Sequence, residues 1–202
     1  MTVTGADIVE LDRIAVNEAL RVVELAESAD WDRDTPCAGW NLRRLVAHMT
    51  AQHLGFAAAA RGAGLEAAHW QEAPDMDDPA LVHRVAATAV LAAFAEPGAT
   101  EREFALPELG GSFTGRQAVR FHFVDYVVHA WDVAAALGVG LELSDDVLGA
   151  ALATARRVPA DPALRGPGNA FAPALDVPGG SGPLDETLRL LGRDPHRWPA
   201  AA

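Results

Sequence analysis

Apolar residues recur at helical spacing through the first long segment, where Ile8, Leu11, Ile14, Ala15, Val22, Leu25 and Ala26 fall on one side. That period is the mark of a helix with one buried face, and it predicts a first helix ending near Asp30. Pro36 and Gly39 then interrupt the pattern. Asn41 is a suitable N-cap for the apolar run that starts at Leu42, so a second helix is expected from Leu42 to about Arg61, stopped by Gly62 and Gly64. Asp78-Pro79 pairs a capping residue with proline at the first helical position and predicts a third helix from Pro79 to about Phe94, closed by Pro97-Gly98.

From Thr100 to Phe113 the pattern is short, extended and broken by glycine, as in a loop or small hairpin. Thr114 caps a fourth helix, Gly115 to Leu137, ended by Gly138, and Ser144 caps a fifth segment reaching about Val158. Six prolines and five glycines between Pro159 and Pro183 exclude regular helix over most of that stretch. It is expected to form an ordered strap or a flexible tail, followed by a short helix from Leu184 to Leu191 that docks on the rest. The expected fold is all-α: an antiparallel four-helix bundle over residues 1–158, with a Pro/Gly-rich C-terminal strap and short terminal helix over residues 159–202.

Composition narrows the function classes. Sixteen basic against 28 acidic residues give a net charge of −12, which repels a phosphate backbone, so no nucleic acid is expected as partner. No segment approaches the roughly 18 apolar residues of a membrane span, so no membrane is expected either. The N-terminus lacks a secretory pattern. The single cysteine, Cys37, allows no internal disulfide and no cysteine-rich zinc site, which fits a cytoplasmic protein. Cys37 sits between proline and glycine with no obvious local base or cation, and is expected to be a packed thiol rather than a nucleophile.

The fourth helix carries the chemistry. Val119, Phe123, Val127, Ala130 and Val133 make one side apolar, and Phe121, Val124, Val128 and Trp131 another, so the helix should be buried. Yet His122, Asp125, His129 and Asp132 follow one another at spacings of three, four and three and line a single stripe. Burying such groups costs several kcal/mol unless they are paired or bound to metal. A divalent cation is one compensating partner, and Asp125 and His129, one turn apart, can reach a common ion. A further ligand must come from another helix, where the second offers both His48 and His53; spacing alone does not choose between them.

Four stretches resemble a known family. TPCAGWNLRRLVAHM, from Thr35 to Met49, is similar to the opening signature of the DinB-like superfamily in its mycothiol-dependent maleylpyruvate isomerase N-terminal-domain branch. DYVVHAWDV, from Asp125 to Val133, resembles the later helix of that branch. GPGNAFAP, from Gly166 to Pro173, and LGRDP, from Leu191 to Pro195, are similar to the ends of an uncharacterised metal-binding group within it.

The resemblance implies a DinB-like bundle holding one divalent metal ion, zinc or nickel, on His48, Asp125 and His129, with aspartate where relatives carry histidine or glutamate. His122 and Asp132 are then candidate partners that orient the ligands, the alternatives being a pocket-lining histidine for His122 and a salt bridge for Asp132; Trp131 reads as a core or capping aromatic that also walls the pocket. The implied activity is that of a metal-dependent transferase or isomerase using mycothiol or a similar small thiol and a small electrophilic substrate, in a monomer or homodimer. The family's isomerase carries a further C-terminal domain for which this chain has too few residues, so its particular reaction does not transfer. The alternative is a non-catalytic metal-binding or helical scaffold protein. No catalytic residue is assigned.

Overall fold

The computed structural model describes residues 7–166 and 171–198; residues 167–170, the middle of the Gly166–Pro173 motif, lie outside them, as do both chain ends. Helices α1 (Ile8–Val23), α2 (Leu42–Ala60), α3 (Pro79–Phe94) and α4 (Gly115–Leu137) form a four-helix bundle in which α1 packs chiefly against α4 and α2 against α3. The expected caps are present: Asn41 accepts from the Arg44 amide, Asp78 from Leu81, and Thr114 forms a capping box with Gln117. Each satisfies a backbone donor that the first helical turn leaves free, typically contributing about 1 kcal/mol.

Helix α1 stops at Val23 rather than near Asp30. The apolar period does continue, but Leu25 is exposed and the Glu27 amide is taken by the Asp30 carboxylate, a side-chain turn that competes with the helix. The Thr100–Phe113 stretch holds a hairpin, β1 (Glu103–Leu106) paired antiparallel with β2 (Gly111–Thr114). Phe104 and Leu106 alternate inward from β1 and seal one end of the core.

The fifth segment is α5 (Asp145–Ala155), shorter than expected at its C-terminus, and the terminal helix is α6 (Pro183–Leu190). Helix α6 packs against α5, and fully buried Leu188 and Leu191 join Val124 and Val128 of α4 in a second apolar cluster. At about 25 cal/mol per Å² of buried apolar surface, two such leucines contribute several kcal/mol to holding the C-terminal segment down. No helix among the described residues is long and apolar enough to cross a membrane.

The main core is built from small and branched side chains, with Ala15, Ala19, Val119, Val127 and Ala130 fully buried. Its centre, however, is polar. Asp12 of α1, His53 of α2, His83 of α3 and His122 and Tyr126 of α4 are all buried there. His122 Nδ1 donates to Asp12 Oδ1 at 2.6 Å, and its Nε2 lies 3.1 Å from His53 Nδ1. The Tyr126 hydroxyl donates to the Met49 carbonyl. Thr50 gives its hydroxyl proton to the Val46 carbonyl, so its oxygen accepts from His83 Nδ1 at 3.2 Å.

Candidate metal centre

Three of the residues singled out in the sequence converge. His48 from α2 and Asp125 and His129 from α4 bring one potential ligand atom each within 4.8 Å of one another. The spacing of four on α4 places Asp125 and His129 on one face, and the His48 and His129 rings stand edge to face with centroids 5.5 Å apart.

Hydrogen bonds decide which ring nitrogens point inward. His129 Nδ1 donates to Asp132 Oδ2 at 3.0 Å, leaving Nε2 facing Asp125 Oδ1 at 3.4 Å. His48 Nδ1 is occupied by Glu72 Oε1 at 2.9 Å, which leaves its Nε2 free. Both rings are thus gripped from behind by a carboxylate, the arrangement that fixes tautomer and orientation in histidine ligands of metals.

Glu72 has no periodic context in the sequence and was not anticipated there. It follows a 3-10 turn, Ala67–Trp70, whose Trp70 indole donates to the Gly64 carbonyl at 2.8 Å. Trp70 lies against Gly55 of α2 so closely that a Cβ on Gly55 would fall 2.2 Å from the ring. This packing brings the turn onto α2 and Glu72 toward His48.

The two expected orienting residues separate. Asp132 touches His129, as described, whereas both nitrogens of His122 are engaged by Asp12 and His53 in the bundle centre. A buried carboxylate there competes for His122 more directly than any group of the ligand cluster. His53 belongs to the same central network, not to the cluster. Trp131 packs in the apolar cluster between α4 and α6. It is Trp40 that stands beside the His48 ring, with centroids 4.9 Å apart.

Cys37 is a packed thiol, but it does have a cation and a carboxylate beside it. Its Sγ donates to Asp132 Oδ2 at 3.1 Å and accepts from Arg193 Nη2 at 3.3 Å. These partners come from 95 and 156 residues away, beyond any local reading of the sequence. Burial, reinforced by the Asp132 charge, pushes the thiol well above its ordinary pKa and keeps it protonated.

Cys37, His129 and Asp132 form a second group with ligand spacing. It is a poor cation site, because the Arg193 guanidinium already lies 3.2 Å from Asp132 Oδ2 and contacts the sulfur.

The electrostatics of the first group run the other way. Burial works to neutralise His129, yet Asp125 and Asp132 overcome it and hold the ring above its ordinary pKa. Burial likewise opposes the Asp132 charge, but Arg193 and His129 bring its pKa down to about 2. With Nδ1 committed to Asp132, a neutral His129 would aim a lone pair at the Asp125 carboxylate. That approach requires positive charge between the two, supplied by a proton or by a metal ion. The donor set, two imidazoles and a carboxylate, fits a divalent transition-metal ion.

Comparison with known proteins places these elements in context. Residues 13–134 match the family described as Mycothiol maleylpyruvate isomerase N-terminal domain. Two uncharacterized proteins of Mycobacterium tuberculosis, from two strains, are each 30% identical over 165 residues, covering 79% of this chain and 82% of the relative. Among solved structures, the mycothiol-dependent maleylpyruvate isomerase superposes with a TM-score of 0.56 at 17% identity. A histidine-to-alanine mutant of that enzyme gives 0.57 at 16%. Both alignments cover 73% of this chain and 66% of the enzyme, so the chain spans slightly under two thirds of the enzyme's length, and at this identity the likeness concerns the fold.

Proposed function

Since the chain belongs to the mycothiol maleylpyruvate isomerase N-terminal-domain family, we propose that it holds one divalent metal ion, zinc or nickel, on His48, Asp125 and His129 and uses it to activate a small thiol such as mycothiol. The observation that carries this reading is the approach of His129 Nε2 to Asp125 Oδ1 at 3.4 Å, with the opposite nitrogen of the ring already committed to Asp132. It marks a place built for positive charge.

Three protein ligands leave at least one coordination position open, as in catalytic rather than structural sites. When bound, such an ion lowers the pKa of a coordinated thiol and so supplies a thiolate at neutral pH. The chain's own residues do the rest. Asp125 contributes the compensating negative charge, Glu72 and Asp132 hold the two imidazoles in the ligand tautomer, and Trp40 covers one side of His48. Cys37, held as a protonated thiol, is no competitor for the attacking role. The reaction class that follows is transfer of the thiol to a small electrophile, or a thiol-assisted isomerisation.

The competing reading also rests on the 3.4 Å approach: His129 as an imidazolium satisfied by Asp125 and Asp132, in a protein that binds no metal and serves as a scaffold. Elemental analysis of untagged protein purified without added metal separates the two. About one transition-metal ion per chain, lost in His48→Ala, supports the metal centre. No metal, even after reconstitution with zinc or nickel, sinks it. Calorimetric titration of the metal-loaded protein with small thiols then tests the activity, since a non-catalytic metal protein shows no saturable thiol binding.

A further inference from the structure

The LGRDP motif, Leu191 to Pro195, lies far along the chain from the proposed ligands, and none of its residues is among them. In the fold it does not remain apart. Helix α6 is laid on the outer face of α4 and α5 by Leu188 and Leu191, both fully buried. The chain then turns sharply at Gly192, which has φ +86° and presses so closely on Ala172 that a Cβ would fall 2.5 Å from that residue's own Cβ. The Arg193 amide donates back to the Leu188 carbonyl at 2.8 Å, closing the helix end. The result is that Arg193 leaves the turn directed inward, and its guanidinium is almost wholly covered.

The guanidinium is spread over three acceptors. Nη1 donates to the Leu191 carbonyl at 3.1 Å, and Nη2 reaches Asp132 Oδ2 at 3.2 Å and Cys37 Sγ at 3.3 Å. Asp132 Oδ2 therefore accepts from three donors: His129 Nδ1 at 3.0 Å, the Cys37 thiol at 3.1 Å and Arg193. Trp198 anchors the same segment beyond the turn, its indole donating to the Ala135 carbonyl of α4 at 3.0 Å.

We propose that Arg193 is a positioning residue of the metal centre: by clamping the Asp132 carboxylate from the C-terminal segment, it fixes the His129 ring with Nε2 toward Asp125 and His48. This rests on the reading of His129 as a ligand and adds to it that the C-terminal segment completes the site. Asp132 is fully buried. A buried carboxylate stripped of its cationic partner does not stay in place at no cost; it reorients, draws in water or takes up a proton. Any of these removes the fixed acceptor behind His129, and loss of such a partner typically weakens metal binding about 10- to 100-fold. An arginine is required because its fork spans the Leu191 carbonyl and the carboxylate together, which a lysine point charge does not do.

The test is metal affinity by chelator competition with zinc, together with the visible absorption of the cobalt(II)-substituted protein, for wild type, Arg193→Ala and Val90→Ala. Val90 is fully buried on α3, away from the cluster, and its truncation serves as a control for destabilisation alone. The inference expects Arg193→Ala to bind zinc about 10- to 100-fold more weakly with an altered cobalt spectrum, while Val90→Ala matches wild type in both. Unchanged affinity and spectrum in Arg193→Ala would overturn it and leave the metal site standing. Equal weakening in Val90→Ala would overturn it too, because the effect would then be one of stability. Wild type that binds neither ion removes the metal-site reading and this inference with it. Should Arg193→Ala fail to fold, Arg193→Gln, polar but neutral and less of a truncation, is read by the same criteria.

Discussion

Glu72 presents Oε1 to Nδ1 of His48 at 2.9 Å, across a separation of 24 residues. The pair is half-exposed, and the hydrogen bond from His48 holds the Glu72 carboxyl below the usual carboxylate range. As a surface pair it contributes little to stability, on the order of 1 kcal/mol or less. Its effect should instead fall on the metal. Glu72→Ala is expected to leave the unfolding midpoint nearly unchanged and to weaken zinc binding about tenfold or more, since His48 loses the group that sets its tautomer. Denaturation and chelator competition on the same preparation check both halves.

The position of Glu72 depends in turn on Gly55. A methyl group there collides with the Trp70 ring at 2.2 Å, and the ring is anchored to the Gly64 carbonyl. Gly55→Ala therefore displaces the turn, Ala67–Trp70, or strains α2, at an overpacking cost of about 1 to 3 kcal/mol. Trp70 should become more exposed, with a red-shifted fluorescence, and zinc binding should weaken alongside it. A variant with unaltered fluorescence and affinity would show that the turn does not set Glu72.

Much of the fold is visible in the sequence because helix ends are local events. Asn41, Asp78, Thr114 and Gly138 act within one turn of their own position, and the structure uses all four. The Asp125–His129 pair is equally local. What decides the role of His122 is not: its partners, Asp12 and His53, lie 110 and 69 residues away, and the same stripe of α4 serves the bundle centre at His122 and the ligand cluster at His129. A helix facing two neighbours has no single polar face, so spacing by itself groups residues that packing then divides. Glu72 and Arg193 are hidden for the related reason that loops carry no period. The overrun predicted for α1 has the opposite origin, a period that continues after the backbone has turned.

Asp125→Asn tests the charge rather than the shape of the site. The side chain is only partly buried and paired with His129, so the bundle should fold normally. A neutral amide loses both the anionic ligand and the compensation it offers, and zinc affinity should fall by about 100-fold or more. A zinc affinity unchanged from wild type by chelator competition would exclude Asp125 as a ligand.

The metal-free protein should be most stable near pH 6.5, the ordinary histidine value, for two opposing reasons. Burial lowers the pKa of His53 well below 6.5 and that of His83 to about 3. Below pH 6.5 the unfolded chain binds protons that these folded histidines refuse, so stability falls as pH drops, by up to roughly 1.4 kcal/mol per unit for each group. Asp12, raised by burial, works against this trend from its ordinary 3.8 upward. His129 has the opposite sign. Its folded pKa is raised above 6.5, so its contribution is fully present below that value and is lost as pH climbs through the raised pKa. Urea midpoints measured with chelator between about pH 5 and 8 should therefore pass through a maximum. Saturating zinc should abolish the decline on the alkaline side, because the ion takes the place of the His129 proton and binds only the folded state. A decline that zinc leaves untouched would mean that the charge between His129 and Asp125 is a proton alone.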